Sequence, residues 1–272
     1  MTFRLVQLTD LHLFADHDAT LKGIPTRDCL LDVLKLISEQ ETGFEHLIVT
    51  GDHTHDELPA TYQDVRSLLS PWISRLHIVP GNHDDRPLMR DTFPEVVRES
   101  APLTFSFECD DWHFVGLDSH CPGEVHGTLG ADQLGWFARL VQSISRPIGI
   151  FMHHPPIPMN SPWMDRISLT DSRQMQQIVL DNPHIRFVSC GHVHHESAHK
   201  LGTADVFTTP FHGTTVRPER RRTRLRGRTA GLPRVPIRRH RFPNGSAPPE
   251  REPVPSVGLL NLPPPGMQKS PV

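Results

Sequence analysis

Short apolar runs broken by polar punctuation dominate residues 1–210. Phe3-Arg4-Leu5-Val6-Gln7-Leu8 is a mostly apolar run that ends at Thr9-Asp10-Leu11-His12, the pattern of a strand feeding a loop. Cys29, Leu30, Val33, Leu34 and Ile37 recur at helical spacing, which predicts an amphipathic helix over 26–40, with Thr26 as its cap and Asp28 in its first turn. His46 to Val49 predicts a second strand, running into Thr50-Gly51-Asp52. A short helix over 60–70 is stopped by Ser70-Pro71. Leu76 to Val79 predicts a third strand, ending in Pro80-Gly81-Asn82-His83-Asp84. The order β-α-β-α-β with short loops argues for parallel strands covered by helices.

Leu103 to Glu108 and His113 to Leu117 predict an antiparallel hairpin around Cys109-Asp110-Asp111-Trp112. Leu134, Phe137, Ala138 and Val141 mark one face of a helix over 131–143. Gly149 to Met152 predicts a strand running into His153-His154-Pro155-Pro156, followed by a proline-rich loop to about Leu169. A helix over 171–181 carries Met175, Ile178 and Val179. Arg186 to Cys190 predicts a strand entering Gly191-His192-Val193-His194, and a last short strand covers 206–209. Past Pro210 the periodicity stops. The expected division is a folded domain over 1–215 and an irregular, disordered tail over 216–272, because Arg- and Pro-dense sequence cannot bury a core. The same composition also arises when a GC-rich gene is read out of frame, since closing strands are expected after residue 210.

Charge sharpens that division. The tail from Val216 carries 13 Lys and Arg against 3 Asp and Glu, and 12 of the 27 prolines. Residues 1–215 carry 15 against 28, so a net charge of -3 averages an acidic body and a basic tail. The acidic body, lacking an aromatic-basic surface, argues for a small substrate and against nucleic acid. The four cysteines (Cys29, Cys109, Cys121 and Cys190) show no C-x-x-C spacing and lie in or beside apolar segments, so they are expected reduced and buried in a reducing compartment. No basic-then-apolar leader and no run of 18 apolar residues is present in the sequence, which points to the cytoplasm and no membrane partner.

Of the 19 histidines, 18 precede residue 216. Five apolar strands end in related residues: Asp10 and His12, Asp52, Asn82 and His83, His153, and His192 with His194. Parallel strands bring these ends to one edge of a sheet, where open α/β folds place ligands. Carboxylates, imidazoles and an amide converging there suit Fe, Mn, Zn or Co. No single ending decides this, since Asp-x-His and Gly-Asp also occur as turns. The ordered set of five does.

That set resembles the calcineurin-like metallophosphoesterase superfamily. Gly81 to Arg86, His153-His154-Pro155-Pro156, Trp163 to Arg166 and Cys190-Gly191-His192-Val193-His194 are similar, more narrowly, to bacterial class III cyclic-nucleotide phosphodiesterases and their glycerophosphodiesterase relatives, over residues 3–210. The resemblance implies a layered α/β/β/α sandwich with mixed sheets and a metal site at the C-terminal ends of the strands. It implies a binuclear centre, with Asp10, His12, Asp52 and His194 on one metal and Asp52, Asn82, His153 and His192 on the other. A metal-bound hydroxide would attack the phosphodiester, with His83 as the catalytic histidine and Asp84 orienting it. His154 would stand beside a ligand. Fe and Mn are the first choices, and cyclic AMP is the first-choice substrate. Glycerophosphodiesterase or nuclease activity, or a non-catalytic scaffold, are the alternatives. Relatives in this branch also imply a homo-oligomer. Two departures stand out: His53-Thr54-His55 follows Asp52 where an apolar residue is usual, and the branch's closing strands are not recognisable after Phe211. His126 is a candidate cap over the site, and the histidines outside the motifs and outside the 53–55 departure read as surface or satisfied core residues.

Overall fold

The computed structural model describes residues 3–40, 43–97, 101–211 and 258–262. In chain order the elements are β1 (Phe3–Leu8), α1 (Thr26–Gln40), β2 (His46–Thr50), α2 (Pro59–Leu69) with a 3₁₀ extension (Ser70–Arg75), β3 (Leu76–Val79) and α3 (Arg86–Thr92). They continue as β4 (Phe105–Cys109), β5 (Trp112–Leu117), α4 (Gly130–Ser143), β6 (Ile148–Met152), α5 (Ser172–Asp181), β7 (Ile185–Cys190), β8 (Ser197–Leu201), β9 (Ala204–Thr208) and β10 (Gly258–Leu262). Each expected element is present.

Two mixed sheets result, one ordered β10-β1-β2-β3 and the other β4-β5-β6-β7-β9-β8. In the first, β1, β2 and β3 run parallel, with Leu5 opposite His46 and Leu47 opposite Leu76. In the second, β5, β6, β7 and β9 run parallel, and β4 and β8 are antiparallel edges. The two sheets meet through Leu5, Ile48 and Val79 on one side and Phe105, Trp112, Phe114, Phe151 and Phe187 on the other. Alternation along each strand sends its other face to helices. Val6, Leu47 and Ile78 pack with Leu30, Val33, Tyr62 and Val65 of α1 and α2. Val115, Ile150 and Val188 pack with Phe137, Val141, Met175 and Val179 of α4 and α5. The layers are therefore α/β/β/α.

Three elements go beyond the periodicity. α3 has only two turns, but Asp85 caps it, its side chain accepting from the Leu88 N–H at 2.8 Å, with Pro87 in the first turn. β8 is a polar edge strand whose residues alternate between half-buried and exposed. β10 pairs antiparallel with β1, Phe3 opposite Leu262 and Leu5 opposite Leu260. These five residues, Gly-Leu-Leu-Asn-Leu, lie within the 216–272 segment expected to be irregular and occupy the open edge of β1. The rest of that tail lies outside the described residues.

The four cysteines are unpaired, but only Cys190 is buried, where burial pushes its thiol up. The other three are half-buried, because each flanks the core instead of pointing into it. Among the described residues no helix is long and apolar enough to cross a membrane.

Candidate metal centre

The strand ends turn sharply where the candidate ligands begin. Asp10, His12, Asp52, His192 and His194 all have left-handed backbones, with φ of 55°, 45°, 53°, 69° and 57°. Such values are uncommon outside glycine and persist where the surroundings over-determine them. Here neighbouring loops supply the constraint. Asp10 N–H donates to Gly51 O (3.0 Å), His12 N–H to Asp52 O (2.8 Å) and Gly191 N–H to His153 O (3.1 Å). Gly81 is needed for close approach, since a Cβ there would collide with Asp52 Oδ1 and the Asp52 backbone nitrogen.

The first sheet brings Asp10, His12, Asp52 and Asn82 to this edge, and the second brings His153, His192 and His194. Asp52 Oδ2 stands between them, 3.5 Å from His12 Nε2 and 3.4 Å from His153 Nε2. Its Oδ1 accepts from the His83 backbone N–H at 2.8 Å. His194 Nε2 lies 3.1 Å from His12 Nε2 and 3.3 Å from Asp10 Oδ1. Asn82 Oδ1 lies 3.2 Å from His153 Nε2 and 3.0 Å from His192 Nδ1. Donors about 2.0–2.2 Å from a cation stand roughly 3–3.5 Å from one another, so these spacings fit a coordination shell. Asp10, His12, Asp52 and His194 form one group able to hold a metal ion.

Hydrogen bonding on the far side of the rings supports the same conclusion. His153 Nδ1–H donates to Thr50 O (2.8 Å), leaving Nε2 to face Asp52 and Asn82. His192 Nε2–H donates to Ile167 O (3.0 Å), leaving the Nδ1 lone pair against the Asn82 carbonyl oxygen. Two acceptors at that separation repel unless positive charge lies between them. The Asp10 carboxylate is held by the His192 N–H (3.1 Å) and Thr9 Oγ1–H (2.8 Å).

Burial works to raise the Asp10 carboxyl, yet the hydrogen bond and charge of His194, with the charge of His153, hold it down at about 2. Asp52 lies well below its ordinary value against the same burial, through His153, His12 and His83. Burial would lower His153, but Asp52 and Asp10 raise it to about 9; His194 is raised against burial by Asp10. Burial lowers His12 and His192 to about 4. Without a cation, the raised His153 and His194 imidazoles supply the positive charge that the two buried carboxylates require, and a bound metal would displace those protons.

Other candidates fall in different places. Asp84 was expected to orient His83, but its carboxylate has other partners: the His53 and Gly81 N–H groups, Tyr62 OH (3.0 Å) and His53 Nδ1–H (2.9 Å). Four donors on one buried carboxylate close the loop and explain why His53 sits where an apolar residue is usual. His154 is fully buried, with Nδ1 at Ser119 Oγ (2.8 Å) and Nε2–H donating to Val125 O (3.1 Å). Both its nitrogens are engaged, so it ties down the 119–128 loop. His126 lies on that loop, half-buried, 3.5 Å from Glu124. His55 entered the sequence reading only as part of the departure after Asp52, yet it stands beside His12 and His83.

Residues 3–196 match the calcineurin-like phosphoesterase family. The chain belongs to that family. As a metallophosphoesterase it is a hydrolase, and its buried Asp and His groups are the ones that could hold metal ions. The phosphoesterase is 31% identical over 194 residues to the 3′,5′-cyclic adenosine monophosphate phosphodiesterase CpdA of Escherichia coli K12, covering 71% of this chain and 70% of that one. It is 33% identical to the CpdA of Pseudomonas aeruginosa, covering 76% and 75%. It is 32% identical to a 3′,5′-cyclic-nucleotide phosphodiesterase of Nostoc, covering 73% and 76%. Among solved structures, a dimetal phosphatase from Danio rerio shares the fold with a TM-score of 0.60 at 16% identity, covering 77% of this chain and 87% of that one.

Proposed function

We propose that this phosphoesterase is a 3′,5′-cyclic-nucleotide phosphodiesterase that acts on cyclic AMP with two metal ions sharing Asp52. Asp52 Oδ2 is nearly equidistant from His12 Nε2 and His153 Nε2, and this carries the two-metal reading, because two cations held close together would need a shared anionic ligand. Asp10, His12 and His194 would complete one shell, and Asn82, His153 and His192 the other. Carboxylate, imidazole and amide oxygen suit iron or manganese. When bound, such cations neutralise charge on the phosphate oxygens and lower the pKa of the attacking water.

The remaining work falls to side chains. The His83 N–H bond to Asp52 Oδ1 fixes the backbone from which the His83 ring projects. That ring is half-buried, 5.1 Å from the His12 ring, and can protonate the departing sugar oxygen, which a leaving alkoxide requires. Thr50 O and Ile167 O hold the ligand rings in their tautomers. The substrate assignment rests on the names of the three cyclic-nucleotide phosphodiesterase relatives. A cytoplasmic setting and self-association go with that reading.

The test is a panel on the Mn²⁺-loaded protein: cyclic AMP, glycerophosphodiesters, bis-p-nitrophenyl phosphate, an oligonucleotide and a phosphomonoester. Metal-dependent turnover with cyclic AMP preferred supports the proposal. Higher kcat/KM on a glycerophosphodiester or oligonucleotide would move the substrate, and no phosphodiester turnover with bound Mn²⁺ would overturn the function.

A further inference from the structure

His55 belongs to none of the strand-end motifs, yet it touches two groups of the site. Its Nδ1 lies 3.3 Å from His12 Nδ1. Its ring stacks on His83, with centroids 4.6 Å apart and planes 25° apart, and Phe14 flanks it at 4.9 Å. The backbone holds it there, since His55 N–H donates to Leu13 O at 2.8 Å, beside the bridge that pairs Leu13 with Thr54.

The tautomers follow from chemistry. His12 turns Nε2 toward Asp52 and His194, so a neutral His12 carries its proton on Nδ1. That proton needs an acceptor, and His55 Nδ1 lies against it. A ligating imidazole whose other N–H is accepted by a partner is fixed in orientation and made a better donor, and losing the partner typically weakens metal binding about 10–100-fold. The partner is commonly a carboxylate, a backbone carbonyl or water. Here it is a second imidazole, which leaves its flat face free to support His83.

We infer that His55 is a positioning residue that accepts the Nδ1 proton of the ligand His12 while its ring backs His83, joining the metal site to the proposed proton donor. The inference rests on the metal-site reading and is independent of which phosphodiester is cleaved. It predicts a separable pair of substitutions. His55→Gln retains an acceptor but not the aromatic face. His55→Phe retains the face but not the acceptor.

The measurement is Mn²⁺ affinity by isothermal titration on the chelator-stripped protein, with circular dichroism and thermal melts to establish folding. His55→Phe should weaken the tighter-affected Mn²⁺ site about 10–100-fold, and His55→Gln should restore it to within about threefold of wild type. At saturating Mn²⁺, His55→Gln should still lower kcat, with KM little changed, because His83 has lost its backing. Equal loss of affinity in both variants, or wild-type affinity in His55→Phe, overturns the inference. Wild-type Mn²⁺ binding without phosphodiester turnover would count against the proposed function while leaving the His12–His55 contact testable by affinity alone.

Discussion

Asn82 and His83 are adjacent, but the turn at Gly81 sends them to different tasks. Asn82 offers a carbonyl oxygen to the group containing His153 and His192. His83 is held by its backbone N–H on Asp52, by the Thr54 hydroxyl donating to its carbonyl, and by ring contacts with His12 and His55. His83→Ala should therefore keep Mn²⁺ stoichiometry and lower kcat about 10²–10⁴-fold, the usual contribution of a general acid. Asn82→Ala should instead weaken one of two Mn²⁺ sites. Metal analysis beside steady-state kinetics separates the two, and metal loss in His83→Ala alone would reverse the assignment. The convergence of the proposed ligands was legible in the sequence because each follows a short apolar run. His55 was not, since its contacts are set by how the loop after Asp52 folds back on Leu13. The setting of Asp84 was hidden for a related reason: adjacency to His83 says nothing about the four donors, from residues 53, 62 and 81, that hold its carboxylate.

At the level of elements, legibility followed amphipathic strength. The long helices and buried strands declare themselves through periodicity. α3 is too short to do so, and its signal is local: Asp85 accepting from Leu88 N–H ahead of Pro87. Asp85→Ala should cost about 1 kcal/mol in urea unfolding, and Asp85→Asn only a fraction of that. β10 could not be read because its partner, β1, lies at the other end of the chain. β2 and β3 carry a further device. His46 Nδ1 and His77 Nε2 lie 3.0 Å apart, and His77 stacks on Phe107 at 4.0 Å. Burial, with His46 adding to it, lowers His77 to about 3. The unfolded chain therefore takes up the proton first as pH falls through 6.5. Stability that is present above that value is lost toward the folded value, by about 2 kcal/mol at pH 5. His77→Gln should shrink the difference in unfolding free energy between pH 8 and pH 5 by that amount. An unchanged difference would show that His77 is protonated in the folded protein.

Across the whole molecule, the two sheets depend on one another. Their shared face is mostly aromatic, with Phe151 fully buried among Phe105, Phe114 and Phe187. Phe151→Ala should cost about 3–5 kcal/mol through the cavity it leaves, and loosening this face should also weaken metal binding, because each shell in the proposal draws on both sheets. A ligand that binds only the folded state at 100 times its dissociation constant adds about 2.7 kcal/mol. Mn²⁺ should accordingly raise the melting temperature of the chelator-stripped protein by roughly 5–10 °C. Mg²⁺, which dehydrates reluctantly and prefers oxygen ligands, should raise it less.

The proposed ligands are also spread out in time. Asp10 and His12 leave the ribosome early, whereas His192 and His194 follow some 180 residues later, about 10–40 s at ordinary rates of synthesis. Until then the nascent chain carries half a site on a half-built sandwich. Its strained loops at Asp10 and Asp52 have no partner from the second sheet to hold them. Hydrolytic competence therefore reports that translation has passed residue 194 and that both sheets have docked, so a stalled chain ending before that point would be inert.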